Sequence, residues 1–434
     1  MANSYVRLFS APGAVGFSIA GFLARIPLSM TGIGIITMLS RVHGDFALAG
    51  AVSATFTLAV ALISPQVSRL VDRHGQARVA MPAAATSVIS IGALLLCVRA
   101  DAPVWTNFVF AVLAGCMPNM GALVRARWQA LYPTSSRLHT AFSFESVVDE
   151  LSFVIGPALS VALSTMLFPE AGPLTAAVLL AAGTVCFLAQ RATEPPLTSS
   201  TGGTGRSVIG SPAVLILVGT LVAGGVIVGT VDVVSVAFAE AQGDASSAGL
   251  VLSVYAVGSA LAGLWFGART LPIPAPRLLI TGTVGTALTT LPLLLWVDGI
   301  PSLAAAVFFA GVFFAPTMIV VMGLVERIVP ASRLTEAMTW AITGLNIGVA
   351  LGAASAGRVV DAHGPSGGFA VAVVAGTTAA ATALVGYRLL TSATRASEDE
   401  DPATLSAEET SPEFSSRETP DGHEVSPASQ DRVR

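Results

Sequence analysis

Four charged residues lie inside two stretches of the sequence, the first and the fifth, that are otherwise apolar. Arg25 stands about 11 residues into the first stretch, and Glu145, Asp149 and Glu150 lie close together in the fifth. With a rise of ~1.5 Å per helical residue, Arg25 would lie roughly 17 Å, and the last two acids roughly 12–14 Å, from the same end. A charge in lipid is costly unless it is paired or hydrated, so the sequence predicts an ion pair between Arg25 and one of these acids.

The three acids offer more negative charge than one arginine needs. Glu145 and Asp149 are four residues apart and share a helix face, whereas Glu150 is turned about 100° away. The sequence leaves open whether Arg25 meets Asp149 or Glu150. We favour a role in which one acid neutralises Arg25 and another takes up and releases a proton. The alternative is an ion pair that only fixes how two helices pack.

An internal repeat and an isolated acid add two candidates for the path of a solute or proton. Ser136-Arg137-Leu138 recurs 196 residues later as Ser332-Arg333-Leu334, and in this register Asn346 is equivalent to Glu150. Asn346 would either hydrogen-bond a solute or bridge two helices. Asp232, near the far end of the seventh stretch, is either a proton carrier or a solvated residue at the mouth of a cavity.

The elements that position these residues are membrane-spanning helices. Of the 434 residues, 53% are hydrophobic and 11% are charged, whereas a soluble domain has about 25% charged residues. Apolar stretches of about 20 residues cross ~30 Å of hydrocarbon as helices, because backbone amides cannot stay unpaired in lipid. The sequence contains twelve such stretches, at 14–38, 46–67, 79–99, 103–126, 141–167, 171–190, 211–237, 246–268, 277–297, 301–324, 335–357 and 367–390.

These stretches predict an all-α polytopic membrane protein with twelve transmembrane helices, arranged as two six-helix bundles that the internal repeat relates. We expect an N-terminal bundle at 1–191, a cytoplasmic connector at 192–210, a C-terminal bundle at 211–391 and a disordered acidic cytoplasmic tail at 392–434. The connector is rich in Pro, Gly, Ser and Thr, and the tail is polar and acidic, so neither can bury much apolar surface.

The placement of arginine predicts the orientation. With both termini in the cytoplasm, the inner ends and loops hold 15 arginines and the outer loops hold three, Arg41, Arg99 and Arg358, which agrees with the positive-inside rule. The chain contains no lysine, which is typical of a GC-rich bacterial genome. We therefore expect a multi-pass, monomeric protein of the bacterial cell (inner) membrane, with lipid around it.

Motifs of enzyme chemistry do not support a catalytic function. The sequence contains no nucleotide-binding Gly-x4-Gly-Lys-Ser/Thr loop and no His-Glu-x-x-His pair. The five histidines lie in predicted loops or the tail and form no ligand set. We expect no enzyme activity, no cofactor, no metal and no nucleic-acid partner.

The segment after the second stretch reads Ser68-Arg-Leu-Val-Asp72-Arg73-His74-Gly75-Gln-Ala-Arg78. It resembles the signature loop of the major facilitator superfamily. Asp72, Arg73, Gly75 and Arg78 match the family pattern, and Ser68 stands in place of its first glycine. In the fifth stretch, Gly156-Pro157, and in the eleventh the run at 345–352, are similar to bacterial small-solute and drug exporters.

The resemblance implies a gating role for this loop. In that family the loop aspartate caps a helix of the other half and pairs with an arginine at the inner end of the fourth helix, which holds the outward-open state. Asp72 would then be the latch, with Arg125 or Arg127 as its partner.

Two departures from the family pattern weaken the usual route of proton antiport. Ala111 stands where many proton-coupled exporters have an arginine, and the corresponding loop of the second half, 265–277, has no acid.

We expect a secondary active transporter that exports a small, weakly polar or amphipathic solute by proton-coupled alternating access. The resemblance implies a cavity lined by the first, fourth, seventh and tenth spans, which offer residues such as Ser29, Asn119, Thr230 and Met318. One alternative is nutrient uptake or uniport of a small solute, for example a carboxylate bound by Arg25. A more distant alternative is a membrane sensor that transports nothing.

Overall fold

All twelve apolar stretches form helices in the computed structural model, which describes residues 8–132, 136–195, 211–267, 269, 272–330 and 333–399. The helices are α1 (Ala14–His43), α2 (Phe46–His74), α3 (Gln76–Arg99), α4a (Trp105–Ala114), α4b (Met120–Leu131), α5 (Ser136–Met166), α6 (Ala171–Ala189), α7 (Pro212–Ala241), α8 (Ser247–Gly267), α9 (Ala275–Leu295), α10a (Ile300–Val312) and α10b (Phe314–Ile328). The last helical stretch, Leu334–Asp399, kinks at Gly364, whose φ is 77°. It therefore contains two helices, α11 before Gly364 and α12 after it.

The prediction of an all-α membrane protein with two six-helix bundles is confirmed. Ten helical segments of the described residues are long and apolar enough to cross a membrane. The last of these segments contains both α11 and α12, and the α4a–α4b pair supplies the remaining span. The predicted fourth span is not continuous, because it breaks between Ala114 and Met120. Pro118 lies in this break and has no amide hydrogen with which to continue a helix.

The two bundles meet at one end of the molecule and separate at the other. We call the end with the turns at Gly44, Gly243 and Gly364 the joined end, and the end with the turn at Gly75 the split end. At the joined end, one hydrophobic core combines side chains of both bundles, from Ile33 to Ala375. At the split end, each bundle has a core of its own, around Trp128 in the first bundle and around Leu324 in the second.

Small residues bring the bundles into close contact at the joined end. Gly249 at the start of α8 lies so near α5 that an added Cβ would be 2.8 Å from Cα of Ala158. One turn further along α8, the Ser253 hydroxyl donates a hydrogen bond of 2.7 Å to the carbonyl oxygen of Val154. Ser40 at the end of α1 donates to the Glu240 carboxylate of α7 at 3.0 Å. A cleft between the bundles consequently opens only toward the split end.

The connector and the tail lie mostly outside the described residues. A short 3-10 helix, Arg191–Thr193, follows α6, and residues 196–210 of the predicted connector are not among those described. Helix α12 continues to Asp399, beyond the predicted start of the tail at 392. The remainder of the predicted disordered tail, 400–434, lies outside the described part of the chain.

Candidate functional site: a charge cluster beside the cleft

Two arginines and two acids of the first bundle form one connected cluster. Arg25 on α1 places Nη2 2.6 Å from Oε2 of Glu145 and Nη1 3.0 Å from Oδ1 of Asp149, both on α5. The other carboxylate oxygen of Asp149 pairs with Nη2 of Arg125 on α4b. The structure therefore assigns both Glu145 and Asp149 to Arg25. Their spacing of four residues puts both carboxylates on the α5 face toward α1.

The cluster has a buried side and a side that solvent can reach. Only 6% of the Arg25 side chain and 2% of the Glu145 side chain are exposed, compared with 34% for Arg125 and 32% for Asp149. The indole nitrogen of Trp128 donates a hydrogen bond of 2.8 Å to Oε1 of Glu145, so both oxygens of the buried acid have partners. The two positive and two negative charges of the cluster add up to zero, and this pairing offsets the free-energy cost of burying them.

The break in the fourth span positions the arginine and the tryptophan of the cluster. Asn119 caps the start of α4b, because its side-chain oxygen accepts a hydrogen bond from the amide of Ala122 at 3.0 Å. Arg125 and Trp128 follow at a spacing of three residues and so share one face of α4b. Gly115 in this break and Gly311 beside the interruption of the tenth span are related by the same offset as the internal repeat. Interrupted helices at equivalent positions of two repeats mark the binding region of many transporters.

Glu150 is separate from the cluster. It is exposed, and it makes no ion pair with any residue that the structure describes. Val154, one turn further along α5, accepts the hydrogen bond from Ser253 of α8, and Ala158, on the same face, contacts Gly249. Glu150 therefore lies on the α5 face that meets the second bundle, at the level where the bundles diverge.

The second bundle contributes polar groups of a different kind. Asp232 of α7 is partly exposed, and within the described residues it has neither a hydrogen bond nor an ion pair. Tyr255 of α8 is buried, and its hydroxyl has no hydrogen-bond partner in the described part of the chain. The Asp232 carboxylate lies within electrostatic range of that hydroxyl. Asn346 of α11 is partly exposed, and its amide nitrogen donates to the carbonyl oxygen of Ile342 at 3.1 Å. These positions do not bring Asp232 or Asn346 to the Arg25 cluster.

Two of the expected cavity residues serve helix packing instead. The Ser29 hydroxyl donates to the carbonyl oxygen of Ser152 on α5 at 2.7 Å, and Thr230 is fully buried and donates to the carbonyl oxygen of Val226. Of the other two expected cavity residues, Asn119 directly precedes α4b, and Met318 lies near the start of α10b.

An apolar pocket lies next to the cluster, between α1 and α5. Its volume is about 680 Å³. Seven of its eight lining side chains are hydrophobic, and the lining consists of Phe9, Val15, Ser18, Ile19, Phe22, Phe144, Val148 and Leu151. A pocket of this composition suits the apolar part of a solute, while the nearby charges suit a polar part.

A model of one protein family matches nearly the whole chain. The model of the Major Facilitator Superfamily matches residues 17–242 and 230–419. The chain belongs to the Major Facilitator Superfamily. No curated protein sequence is significantly similar to it.

Solved structures of other transporters share the major facilitator fold. A mutant of the nucleoside transporter NupG superposes with a TM-score of 0.70 at 15% identity, covering 87% of this chain and 99% of that one. A POT family transporter in complex with 5-aminolevulinic acid has a TM-score of 0.66 at 13% identity, covering 89% and 98%. A bacterial homologue of the iron transporter ferroportin, in an inward-facing state, has a TM-score of 0.65 at 15% identity, covering 87% and 99%. At these identities the likeness shows the fold, and the resemblance to drug exporters in particular stays a prediction.

The signature loop of the superfamily lies at the split end. Asp72, Arg73 and Arg78 are exposed there, and Gly75 joins α2 directly to α3 with a φ of 94°. The structure does not bring Asp72 to either expected partner, and no described residue hydrogen-bonds or ion-pairs with it. In this conformation Arg125 is paired with Asp149 instead.

Arg127 has a separate set of partners. Its Nε donates to Gln76 at 2.9 Å, and its Nη1 donates to the carbonyl oxygen of Gln190 at 3.0 Å and to Thr193 at 2.7 Å. The guanidinium lies over the ring of Phe187, 3.7 Å from its centroid. Arg127 therefore ties the α2–α3 turn to the end of α6 within the first bundle.

Sequence reasoning missed Trp128 and the pairing of Arg125 with Asp149. A signal was present, because Arg125 and Trp128 are three residues apart near the split end of the fourth span, at a depth similar to that of Glu145. The family resemblance directed Arg125 to Asp72 and so obscured this pairing.

Proposed function

We propose that this member of the superfamily is a proton-coupled exporter of a small, weakly polar or amphipathic solute, and that Glu150 is its proton carrier. The observation that supports this best is the position of Glu150 in the cleft, beside the charge-balanced cluster of Arg25, Arg125, Glu145 and Asp149. The direction of transport is inferred from the resemblance of Gly156-Pro157 and the run at 345–352 to exporters.

The joined end corresponds to the outer face in this proposal. Its loops and helix ends include Arg41, Arg99 and Arg358, the three arginines that the positive-inside rule leaves outside. The cleft then opens to the cytoplasm, and the protein is an inward-open monomer in a bacterial inner membrane with both termini in the cytoplasm.

Glu150 is suited to couple protonation to movement because its surroundings change with the state of the cleft. In the inward-open state it is exposed and next to the ion-paired Asp149, and no cation among the described residues pairs with it. When the split end closes, α8 would approach the α5 face on which Glu150 lies. A carboxylate loses hydration in that movement, whereas a neutral carboxylic acid loses little, so a bound proton favours closure.

The paired acids have a different role in the proposal. Glu145 and Asp149 hold α1, α4b and α5 together through their ion pairs with Arg25 and Arg125. The Arg125 side chain is also partly exposed, so a solute in the cleft can reach it. A polar group of the solute would compete for Arg125, while its apolar part occupies the pocket between α1 and α5. The solute site would therefore lie beside α4b, the helix that follows the interruption of the fourth span and holds Arg125.

Uptake or uniport of a carboxylate is the second candidate. In the form expected from the sequence, Arg25 binds the substrate, but its side chain is 6% exposed and already meets two carboxylates. Arg125, with 34% of its side chain exposed, is the more accessible arginine for such a ligand. The distinguishing property is proton coupling, which a uniporter lacks.

Solute-driven proton flux in proteoliposomes tests the proposal. A pH-sensitive dye reports the flux, and the solutes are a panel of amphipathic amines, phenolics and carboxylates. Wild type is compared with Glu150→Gln and Asp149→Asn. Glu326→Gln is the matched control, because Glu326 is exposed at the end of α10b in the second bundle and does not belong to the charge cluster of the first.

We expect at least one solute to dissipate a proton gradient with wild type and Glu326→Gln, and Glu150→Gln to abolish the proton signal. If a solute moves without a proton signal and Glu150→Gln transports normally, uniport replaces this proposal. If Asp149→Asn alone abolishes the signal, the proton carrier is the paired acid and the role of Glu150 is wrong.

A further inference from the structure

The turn between α11 and α12 repeats the turn between α2 and α3. Residues 68–75 read Ser-Arg-Leu-Val-Asp-Arg-His-Gly, and residues 357–364 read Gly-Arg-Val-Val-Asp-Ala-His-Gly. Five of the eight positions are identical in the two segments: the second (Arg), the fourth (Val), the fifth (Asp), the seventh (His) and the eighth (Gly). Asp361 is therefore the counterpart of Asp72.

The backbone of the two turns is also alike. Gly75 has φ 94° and ψ 156°, and Gly364 has φ 77° and ψ 172°. Both glycines occupy a left-handed region that other residues rarely adopt, and both connect one long helix directly to the next. The two similar segments therefore form the same type of helix–glycine–helix turn.

Asp361 makes contacts that cross from one bundle to the other. One carboxylate oxygen accepts a hydrogen bond from the amide of Phe46 at 3.2 Å, and the other accepts one from the amide of Ala47 at 2.6 Å. These amides are the first two of α2, and amides in the first turn of a helix have no partner inside the helix. The positive end of the helix dipole adds to the attraction.

The remaining first-turn amides of α2 are satisfied within the first bundle. The Asp45 side chain accepts from Leu48 at 2.8 Å, and the Asp45 carbonyl accepts from Ala49 at 3.1 Å. Asp45 thus caps two of the four first-turn amides of α2, and Asp361 of the second bundle caps the other two. Close packing supports it, because a Cβ at Gly357 would collide with the carbonyl oxygen of Phe46.

Helices α2 and α11 run antiparallel, so the two turns lie at opposite ends of one packed pair. Asp361, at the end of α11, lies beside the start of α2 at the joined end. Asp72 lies at the end of α2 at the split end, where the bundles are apart, and the first turn of α11 would reach it only when that end closes. Asp361 is engaged, while Asp72 has no hydrogen-bonding partner among the described residues.

We propose that Asp361 is a latch that holds the joined end closed by capping α2, and that Asp72 is its counterpart at the other end. The chain alternates between the two caps, since closing one end moves the first turn of the other helix away from its aspartate. This inference does not depend on the identity of the solute or on proton coupling.

Distance measurements between spin labels test the latch without a substrate. Labels are placed at Leu167→Cys in the first bundle and Trp296→Cys in the second, because both residues are exposed at the joined end. Cys97, Cys116 and Cys186 are first replaced with alanine. The variants are Asp361→Asn, Asp72→Asn and, as a matched control, Asp244→Asn, whose carboxylate accepts a hydrogen bond from Ser246 in its own loop.

We expect Asp361→Asn to lower the ratio of joined-end-closed to joined-end-open molecules about fivefold, which corresponds to ~1 kcal/mol for the second acceptor oxygen and the negative charge that asparagine lacks. Asp72→Asn should shift the ratio in the opposite direction, and Asp244→Asn should leave it unchanged. Circular dichroism and gel filtration verify that each variant is folded. The latch is wrong if folded Asp361→Asn has the wild-type distance distribution, or if both aspartate variants shift it in the same direction.

Discussion

Arg25 on α1 meets Asp149 on α5 with 3.0 Å between Nη1 and Oδ1. The same carboxylate pairs with Arg125 on α4b, so Asp149 joins three helices of the first bundle. Glu145 secures the buried side of Arg25 at 2.6 Å. The positions related to Arg25 and Asp149 by the internal repeat are Leu221 and Leu345. The second bundle therefore has no equivalent cluster, and any chemistry of these charges belongs to one bundle only.

The pair of Arg25 and Glu145 should behave as a coupled unit in stability measurements. Arg25→Met leaves Glu145 buried without a cation, and Glu145→Gln leaves Arg25 with Asp149 alone. Breaking a buried ion pair costs about 3–5 kcal/mol, so we expect each single variant to lower the thermal midpoint in detergent by several degrees. The double variant should lose less than the sum of the two, because no unmatched charge is left between these positions.

The control for this cycle is Glu326→Gln, an exposed site at which we expect a change within about 0.5 kcal/mol. Strictly additive losses in the double variant would mean that the contact of 2.6 Å contributes little coupling. The cluster would then be held by Arg125 and Asp149.

Arg127 should not tolerate replacement by lysine. Its guanidinium donates in two directions, to Gln76 and to the end of α6, while its flat face lies on Phe187. A lysine ammonium lacks both the fork and the flat face, so we expect Arg127→Lys to lower the free energy of unfolding by ~2 kcal/mol. Thermal unfolding in detergent measures this, with Arg69→Lys at the exposed surface as the matched control. Equal midpoints for the two variants would contradict the role assigned to Arg127.

The apolar pattern was sufficient to predict the fold, because lipid allows only helices with internally paired backbones. It predicted every span, but it did not predict the interruption after Ala114, because a proline such as Pro118 does not by itself indicate a break: Pro27, Pro65 and Pro82 lie inside continuous helices of the same bundle. The depths of Arg25 and Asp149 were read from helix rise alone. The partners of Arg125 could not be read in this way, because they depend on how helices are rotated about their axes and on which end of the molecule is closed.

The small residues between α5 and α8 should control which end is open. Gly249 leaves no room for a side chain, since its Cβ would be 2.8 Å from Cα of Ala158 in the backbone of α5. Backbone cannot move aside as a flexible side chain can, so Gly249→Leu should separate the bundles at the joined end. We expect the labels at positions 167 and 296 to give a longer mean distance in this variant. Gly267→Leu is the control, because a Cβ there meets nothing within 4 Å. Equal distances in the two variants would show that the α5–α8 contact does not hold the joined end.

Asp232 should select solutes by charge. Its carboxylate has no cation or hydrogen-bond donor among the described residues, and the nearby Tyr255 hydroxyl is also unpartnered. An unmatched acid in a membrane-spanning helix is stabilised when a cation reaches it. We expect Asp232→Asn to raise the KM for cationic amines about tenfold, which corresponds to ~1.4 kcal/mol, and to leave the KM for neutral solutes unchanged. Asp244→Asn is the control, because that acid is exposed in a loop. If transport of cationic and neutral solutes declines together with proton flux, Asp232 carries the proton and does not select the solute.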